Sequence, residues 1–276
     1  MVNMNNIYVI GDAITDHYYP CELLGTANEP GDTPLLRQIR AKRSITGGAA
    51  FVANSIRRQL TNPSKVQQST WSSNWDILRY TVKGETIFTV EIEALPSALT
   101  MDSSANNPAL IFSNGIGPDS IVVLWDDDKS DGIILAEAFR CAKKYGAMTI
   151  VDCSSPDIFD RYPGATIYKI SCNEWNVMSE SQQLDNSNSQ LILTHDNGCN
   201  FGGTWEDKPM SGHVHVDNVK NPVDTIGAGD VFLARLTFLL FHKYSLLQAM
   251  ISAALYARES IGYPGCYFPY ERKQND

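Results

Sequence analysis

The sequence predicts an α/β protein: a doubly wound, mostly parallel sheet with a second, small β-sheet. Three observations predict it. Short apolar runs alternate with amphipathic stretches along most of the 276 residues, the rhythm of strands and crossover helices. Residues 121–151 complete one such unit, with a strand over 121–125, a helix over 132–145 that is apolar at 133, 134, 135, 138, 139 and 142, and a buried strand over 147–151. The third is a hairpin: runs 77–82 and 85–92 flank Lys83-Gly84, and the second run alternates with the period of two that a strand demands.

The remaining elements follow in order. Ile7-Tyr8-Val9-Ile10 ends at Gly11 and reads as a buried first strand, whereas residues 13–45, rich in Gly, Pro and Thr, read as irregular. Gly47-Gly48 opens a helix of small and apolar residues running to about Leu60. A polar stretch over 61–74 separates it from the hairpin, which reads as a small sheet of its own. Further strands are expected over 109–112, 166–170 and 191–194, a strand pair over 199–204 and 213–216, a short helix over 173–181, and closing helices over 228–244 and 246–261.

Composition narrows the function classes. Lys plus Arg is 22 and Asp plus Glu is 31, giving a formal charge of −9 with no basic block to follow a phosphate backbone, so nucleic acid is not an expected partner. No apolar run approaches the roughly 20 residues that span a bilayer. Residues 1–6 lack the basic start and apolar core of a secretory signal, and the chain reads as cytoplasmic. Cys21, Cys141, Cys153, Cys172, Cys199 and Cys266 are scattered without a C-x-x-C pair, which favours free thiols over disulfides or structural zinc.

The stretch that carries chemistry is Asp224-Thr225-Ile226-Gly227-Ala228-Gly229-Asp230, followed at once by the apolar run Val231-Phe232-Leu233-Ala234. Glycines at the start of a helix leave amides uncovered and aimed at whatever lies ahead, an anion cradle. A carboxylate in the same first turn would repel a phosphate unless its work is to take a proton from an attacking hydroxyl. The spacing equally fits an Asp that only stabilises the helix dipole.

This stretch resembles the C-terminal signature of the ribokinase-like (PfkB) carbohydrate kinases at every fixed position. The resemblance implies a ribokinase-like fold and ATP-dependent phosphorylation of a sugar hydroxyl. Asp230 would be the base, Gly227, Ala228 and Gly229 the anion hole, and Asp224 and Thr225 nucleotide contacts. ATP and Mg²⁺ are the implied cofactors, with room for a monovalent cation; the partner is a small sugar or sugar phosphate, and a homodimer through the lid is an option. Gly11-Asp12, three residues, Asp16, one residue, Tyr18 is most similar to the bacterial D-glycero-D-manno-heptose-phosphate kinases, in which the residue matching Asp16 grips sugar hydroxyls. Gly47-Gly48 resembles the family's N-terminal di-glycine; Phe51 stands where an Asn is expected, leaving Asn54 as the candidate sugar contact.

Weaker likenesses lie between. Asp126 and Lys129 match an Asp-Tyr-x-Lys element for the substrate side, with Asp127 in place of Tyr, and residues 151–166 resemble the loop after the following strand. Glu174 fits the Glu of an Asn-x-x-Glu element tied to metal, with Ser171 in place of Asn. Thr194 and Gly198 resemble a nucleotide-contacting Thr-x-Gly-x-x-Gly, with Asp196 at its first Gly and one residue fewer. These departures leave open a second reading, a non-catalytic sugar- or nucleotide-binding relative. A dinucleotide oxidoreductase is disfavoured because no G-x-G-x-x-G follows the first strand. The cluster Arg37, Arg40, Lys42, Arg43 reads as a solvated face ahead of a phosphate site. The likeness runs from Ile7 to about Gly265, so residues 1–276 read as one domain with a lid drawn from about 17–46 and 77–95. Only residues 61–76 separate the first helix from the hairpin, where the family ordinarily inserts a strand and a helix, so a piece of sheet is expected to be missing.

Overall fold

A computed structural model describes residues 6–26, 34–40, 43–82, 85–93, 116–127, 132–178 and 189–266. The expected strand over 109–112 and the side chain of Lys129 lie outside these residues. The strands are β1 (Asn6–Thr26), β2 (Pro34–Gln38), β3 (Arg43–Gly47), β4 (Val66–Val82), β5 (Glu85–Glu93), β6 (Ser120–Asp126), β7 (Met148–Cys153), β8 (Ile167–Ser171), β9 (Gln190–His195), β10 (Gly198–Trp205), β11 (Lys208–Pro209) and β12 (Gly212–His215). The α-helices are α1 (Gly48–Gln59), α2 (Gly132–Lys144), α3 (Ile158–Arg161), α4 (Cys172–Trp175), α5 (Ala228–Phe241) and α6 (Leu246–Ser260).

One sheet runs in the order β11-β10-β9-β8-β7-β6-β1-β4-β5. It is parallel from β9 through β8, β7, β6 and β1 to β4, with antiparallel additions at both ends. Its central strands read as continuous apolar runs because both faces are covered. Ile7 and Val9 of β1, with Ile121 and Val123 of β6, join a core shared with α1, α5 and α6. The alternate residues Tyr8, Ile10, Val122 and Leu124 join a second core with α2 and α3 on the opposite face.

Four expectations are corrected here. The stretch over 13–45 is not irregular: β1 continues to Thr26, and β2 and β3 pair antiparallel with it. Its apolar signal fades because this half of β1 lines a polar cleft, with Asp16 and His17 buried beside Ile14 and Tyr18. Nor is a strand missing after α1. The polar stretch enters β4 at Val66, which pairs in parallel with Ile7 and stays beside β1 to Cys21 and Val82, with one irregularity after Ala13. The expected strand is thus fused to the lid hairpin, and no helix intervenes between Val66 and Val82. The lid is consequently an extension of the main sheet rather than a sheet apart. The short helix is also shorter than expected, ending at Trp175.

Candidate active site

Ligands of open α/β sheets gather at the carboxyl ends of strands where partners change. That change falls in β1 between Gly11 and Ile14, where pairing with β6 ends and pairing with β3 begins. A Cβ on Gly11 would lie 2.0 Å from the Trp125 carbonyl oxygen, so only glycine lets β1 and β6 close here. The two glycines that open α1 make different room. A Cβ at Gly47 would sit 3.0 Å from Asp16 Oδ2; one at Gly48, whose φ is +63°, would lie 2.4 Å from the Asp12 carbonyl and 3.1 Å from the Trp125 indole. The family resemblance implies that both meet the sugar; both line the cleft, and each also has a close neighbour within the protein. The resulting cleft is walled by Ile14, Tyr18, Phe51, Ile77 and Trp125, with Asp16, Arg79, Asp127 and Asp230 as its charged lining.

Gly227 takes φ +89° as the residue before α5, a left-handed conformation suited to glycine. The Ala228 amide donates to the Thr225 carbonyl at 3.3 Å. The amides of Gly229 and Asp230 have no intrahelical acceptor and are what the first turn presents to an anion. Asp230 Oδ1 accepts from Trp125 Nε1 at 2.9 Å. Burial pushes the Asp230 carboxyl up to about 7, with Asp152 adding to the shift and Lys169 and the indole bond opposing it. Beneath the cradle, Lys169 Nζ bonds Asp152 Oδ2 at 2.8 Å, and a Cβ on Gly229 would come within 3.0 Å of that ammonium. Burial raises Asp152 to about 6 against the pull of Lys169, which leaves a charged pair at neutral pH under the helix start.

The other expected site residues divide. Asp16 lines the cleft, its Oδ1 accepting from Arg79 Nε of the lid at 2.7 Å. Asn54 is exposed on α1 and accepts from Arg57 Nη1 at 3.0 Å; Phe51, not Asn54, lines the cleft, packed on Val231 and Cys266. Asp126 turns away into the core, where it accepts from Arg161 Nη1 at 2.9 Å and the Tyr162 hydroxyl at 2.6 Å, and Asp127 takes its place in the cleft. Asp126 is the last residue of β6 and Asp127 the first beyond it, and the alternation of successive side chains carries past the strand end to separate the two. Asp224 accepts from the amides of Ile226 at 3.0 Å and Gly265 at 2.8 Å, so its carboxylate ties the cradle loop to the C-terminal turn, and Thr225 beside it is exposed. Thr194, one residue before the end of β9, lies next to Ser171 of β8. Gly198 has a packing role: its Cβ would lie 1.9 Å from the Val214 carbonyl. Glu174 Oε2 accepts from the Ser171 amide at 2.7 Å while Ser171 Oγ accepts from the Glu174 amide, a capping box with Ser at the position where Asn is expected. Among the described residues no group of three or more His, Cys, Asp or Glu side chains is placed to hold a metal ion.

Trp125, Arg79, Asp152 and Lys169 were not singled out as site residues from the sequence. Lys169 did carry a signal, a lysine inside the otherwise apolar run Ile167-Tyr168-Lys169-Ile170, since a lysine is almost never buried without a partner.

The family model for the pfkB family carbohydrate kinases matches residues 123–273. The chain therefore belongs to the pfkB family of carbohydrate kinases. No curated protein matches it. Among solved structures, phosphofructokinase-2 from Escherichia coli, in complex with substrates and products, aligns with a TM-score of 0.68 at 15% identity, covering 94% of each chain. A microbiome-derived acarbose kinase aligns at 0.67 and 14%, covering 96% of this chain and 95% of its own. The nucleoside kinase of Methanocaldococcus jannaschii, an archaeal member of the ribokinase family, aligns at 0.63 and 18%, covering 96% and 94%. These likenesses establish the ribokinase-like fold. No helix among the described residues is long and apolar enough to cross a membrane.

Proposed function

We propose that this carbohydrate kinase transfers the γ-phosphate of ATP to a hydroxyl of a sugar or sugar phosphate held between Asp16 and Asp230. The observation that carries the reading is the placement of Asp230 in the first turn of α5, beside the amides of Gly229 and its own, on the lining of the same cleft as Asp16. A carboxyl raised to about 7 is matched to taking a proton near neutrality. As the acceptor oxygen forms its bond to phosphorus, its proton passes to Asp230 and the bond from phosphorus to the ADP oxygen breaks. The cradle amides face the charge on the transferred group, and Lys169 below Gly229 adds a fixed positive charge. Glu174 is the residue that would help hold Mg²⁺, which when bound would neutralise charge on the phosphates.

For the acceptor we favour a phosphorylated sugar of the heptose-phosphate type. The pattern around Asp16 supports it, as does Arg79, the one cationic side chain among the described residues lining the cleft, because guanidinium donors suit phosphate oxygens. The test is phosphoryl transfer across a panel of sugars and their phosphates. Asp230→Asn should keep ATP-analogue affinity within about twofold while turnover falls about 10²- to 10⁴-fold. A near-normal rate in that variant rules out Asp230 as the base, and a wild-type chain inert on the whole panel rules out the kinase reading. Arg79→Ala should raise KM for the phosphorylated acceptor far more than for its unphosphorylated counterpart.

A further inference from the structure

We propose that Trp125 is the positioning residue of the catalytic carboxylate, holding one oxygen of Asp230 through its indole N–H so that the other meets the acceptor; this rests on the reading of Asp230 as the base. The indole is itself fixed from several sides. Its backbone is clamped where Gly11 of β1 meets the Trp125 carbonyl, and its ring lies over Gly48, whose missing Cβ would otherwise come within 3.1 Å of Cζ3 and 3.3 Å of Cη2. From that seat Nε1 reaches Asp230 Oδ1 at 2.9 Å, joining the end of β6 to the first turn of α5. The di-glycine that opens α1 thus bears on the base through the tryptophan.

The choice of an indole has a chemical consequence. It donates without titrating or accepting, so it fixes the carboxylate without competing for the proton that the reaction moves. The groups that face Asp230 are Asp152 of β7, Lys169 of β8 and Asp16 of β1, with Cys266 of the C-terminal turn behind it. Arg79 of β4 and Asp127 share the cleft. Asp152, Asp16 and burial favour the protonated acid, while Lys169 and the indole favour the carboxylate. Losing the indole N–H therefore moves the balance toward the acid and frees the carboxylate to rotate.

The experiment is an ¹⁵N-indole titration of the full chain, alone and as Trp125→Phe and Asp230→Asn. One of the five tryptophan indole signals should move with a midpoint near 7, be absent in Trp125→Phe with the other four retained, and stop titrating in Asp230→Asn. An indole that does not titrate, or titrates equally in Asp230→Asn, overturns the proposal whether or not the protein turns over. Should Trp125→Phe fail to fold, the comparison with Asp230→Asn decides alone. In the active enzyme Trp125→Phe should move the acid limb of the kcat profile up by about one pH unit, the size expected for one hydrogen bond to an ionised group. It should lower kcat about tenfold with KM for ATP within about twofold; an unmoved acid limb overturns the proposal. A wild-type chain inert on every sugar while the indole still titrates with Asp230 refutes the base role and leaves the hydrogen bond standing.

Discussion

Asp152 and Lys169 are 10% and 7% exposed at their side chains, and each is tolerable in the core only because of the other. Lys169→Met should destabilise the fold by about 3–5 kcal/mol, since it leaves a buried carboxylate without its cation. Chemical denaturation should show Lys169→Met/Asp152→Asn recovering much of that loss; a double variant as unstable as the single would mean the cost was packing rather than charge. Gly48 is a second residue with no tolerated replacement: its φ of +63° and the 2.4 Å approach of the Asp12 carbonyl both oppose a side chain. Gly48→Ala should cost at least about 1–3 kcal/mol in the same assay and also displace the Trp125 indole. Gly25, with nothing within 4 Å of a built Cβ, should tolerate alanine far better, limited only by its φ of +139°.

The helix α4 shows how a departure from the family pattern is absorbed within an element. Ser171 caps it through Oγ, and Glu174 returns the bond to the Ser171 amide. Asn is as good an N-cap as Ser, so Ser171→Asn should leave the thermal midpoint nearly unchanged, whereas Ser171→Ala should cost about 1 kcal/mol. The long strands are the second lesson at this scale. β1 and β4 run together from the core into the lid, so Asp16 and Arg79 are delivered to the cleft by one continuous pair of strands. Removing the Arg79 guanidinium, which is 15% exposed, therefore perturbs the place where the lid meets the cleft rather than a distant surface.

Across the whole molecule, the proposed role of Asp230 makes pH act on stability and on catalysis in opposite senses. Asp152 and Asp230 are raised from 3.8 to about 6 and about 7, so between about pH 4 and 7 these two groups bind more protons in the folded chain than in the unfolded one. Their contribution to stability is present below about pH 4 and is lost as pH rises through the raised values, while deprotonated Asp230 accumulates through the same window. Urea midpoints measured across pH 4.5–7.5 should carry a downward component that is smaller in Asp230→Asn, and kcat/KM should rise toward neutrality; equal slopes in the two proteins would contradict the raised carboxyl. Much of this molecule was legible in its residues. The β6-α2-β7 unit, the lid hairpin and the two closing helices follow from apolar periodicity, and the cradle from the two glycines that flank Ala228 at a helix start. What the sequence could not show was where polar strands run, because β1 beyond Gly11 and the start of β4 line a cleft or an edge and lack the apolar alternation that marks a buried strand. It could not separate Asp126 from Asp127, which differ only in the face they take. Local pattern determined the fold class and placed Asp230 in the first turn of a Gly-rich helix start; the three-dimensional packing alone decided its neighbours, bringing Trp125, Asp152 and Lys169 from three separate strands to one carboxylate.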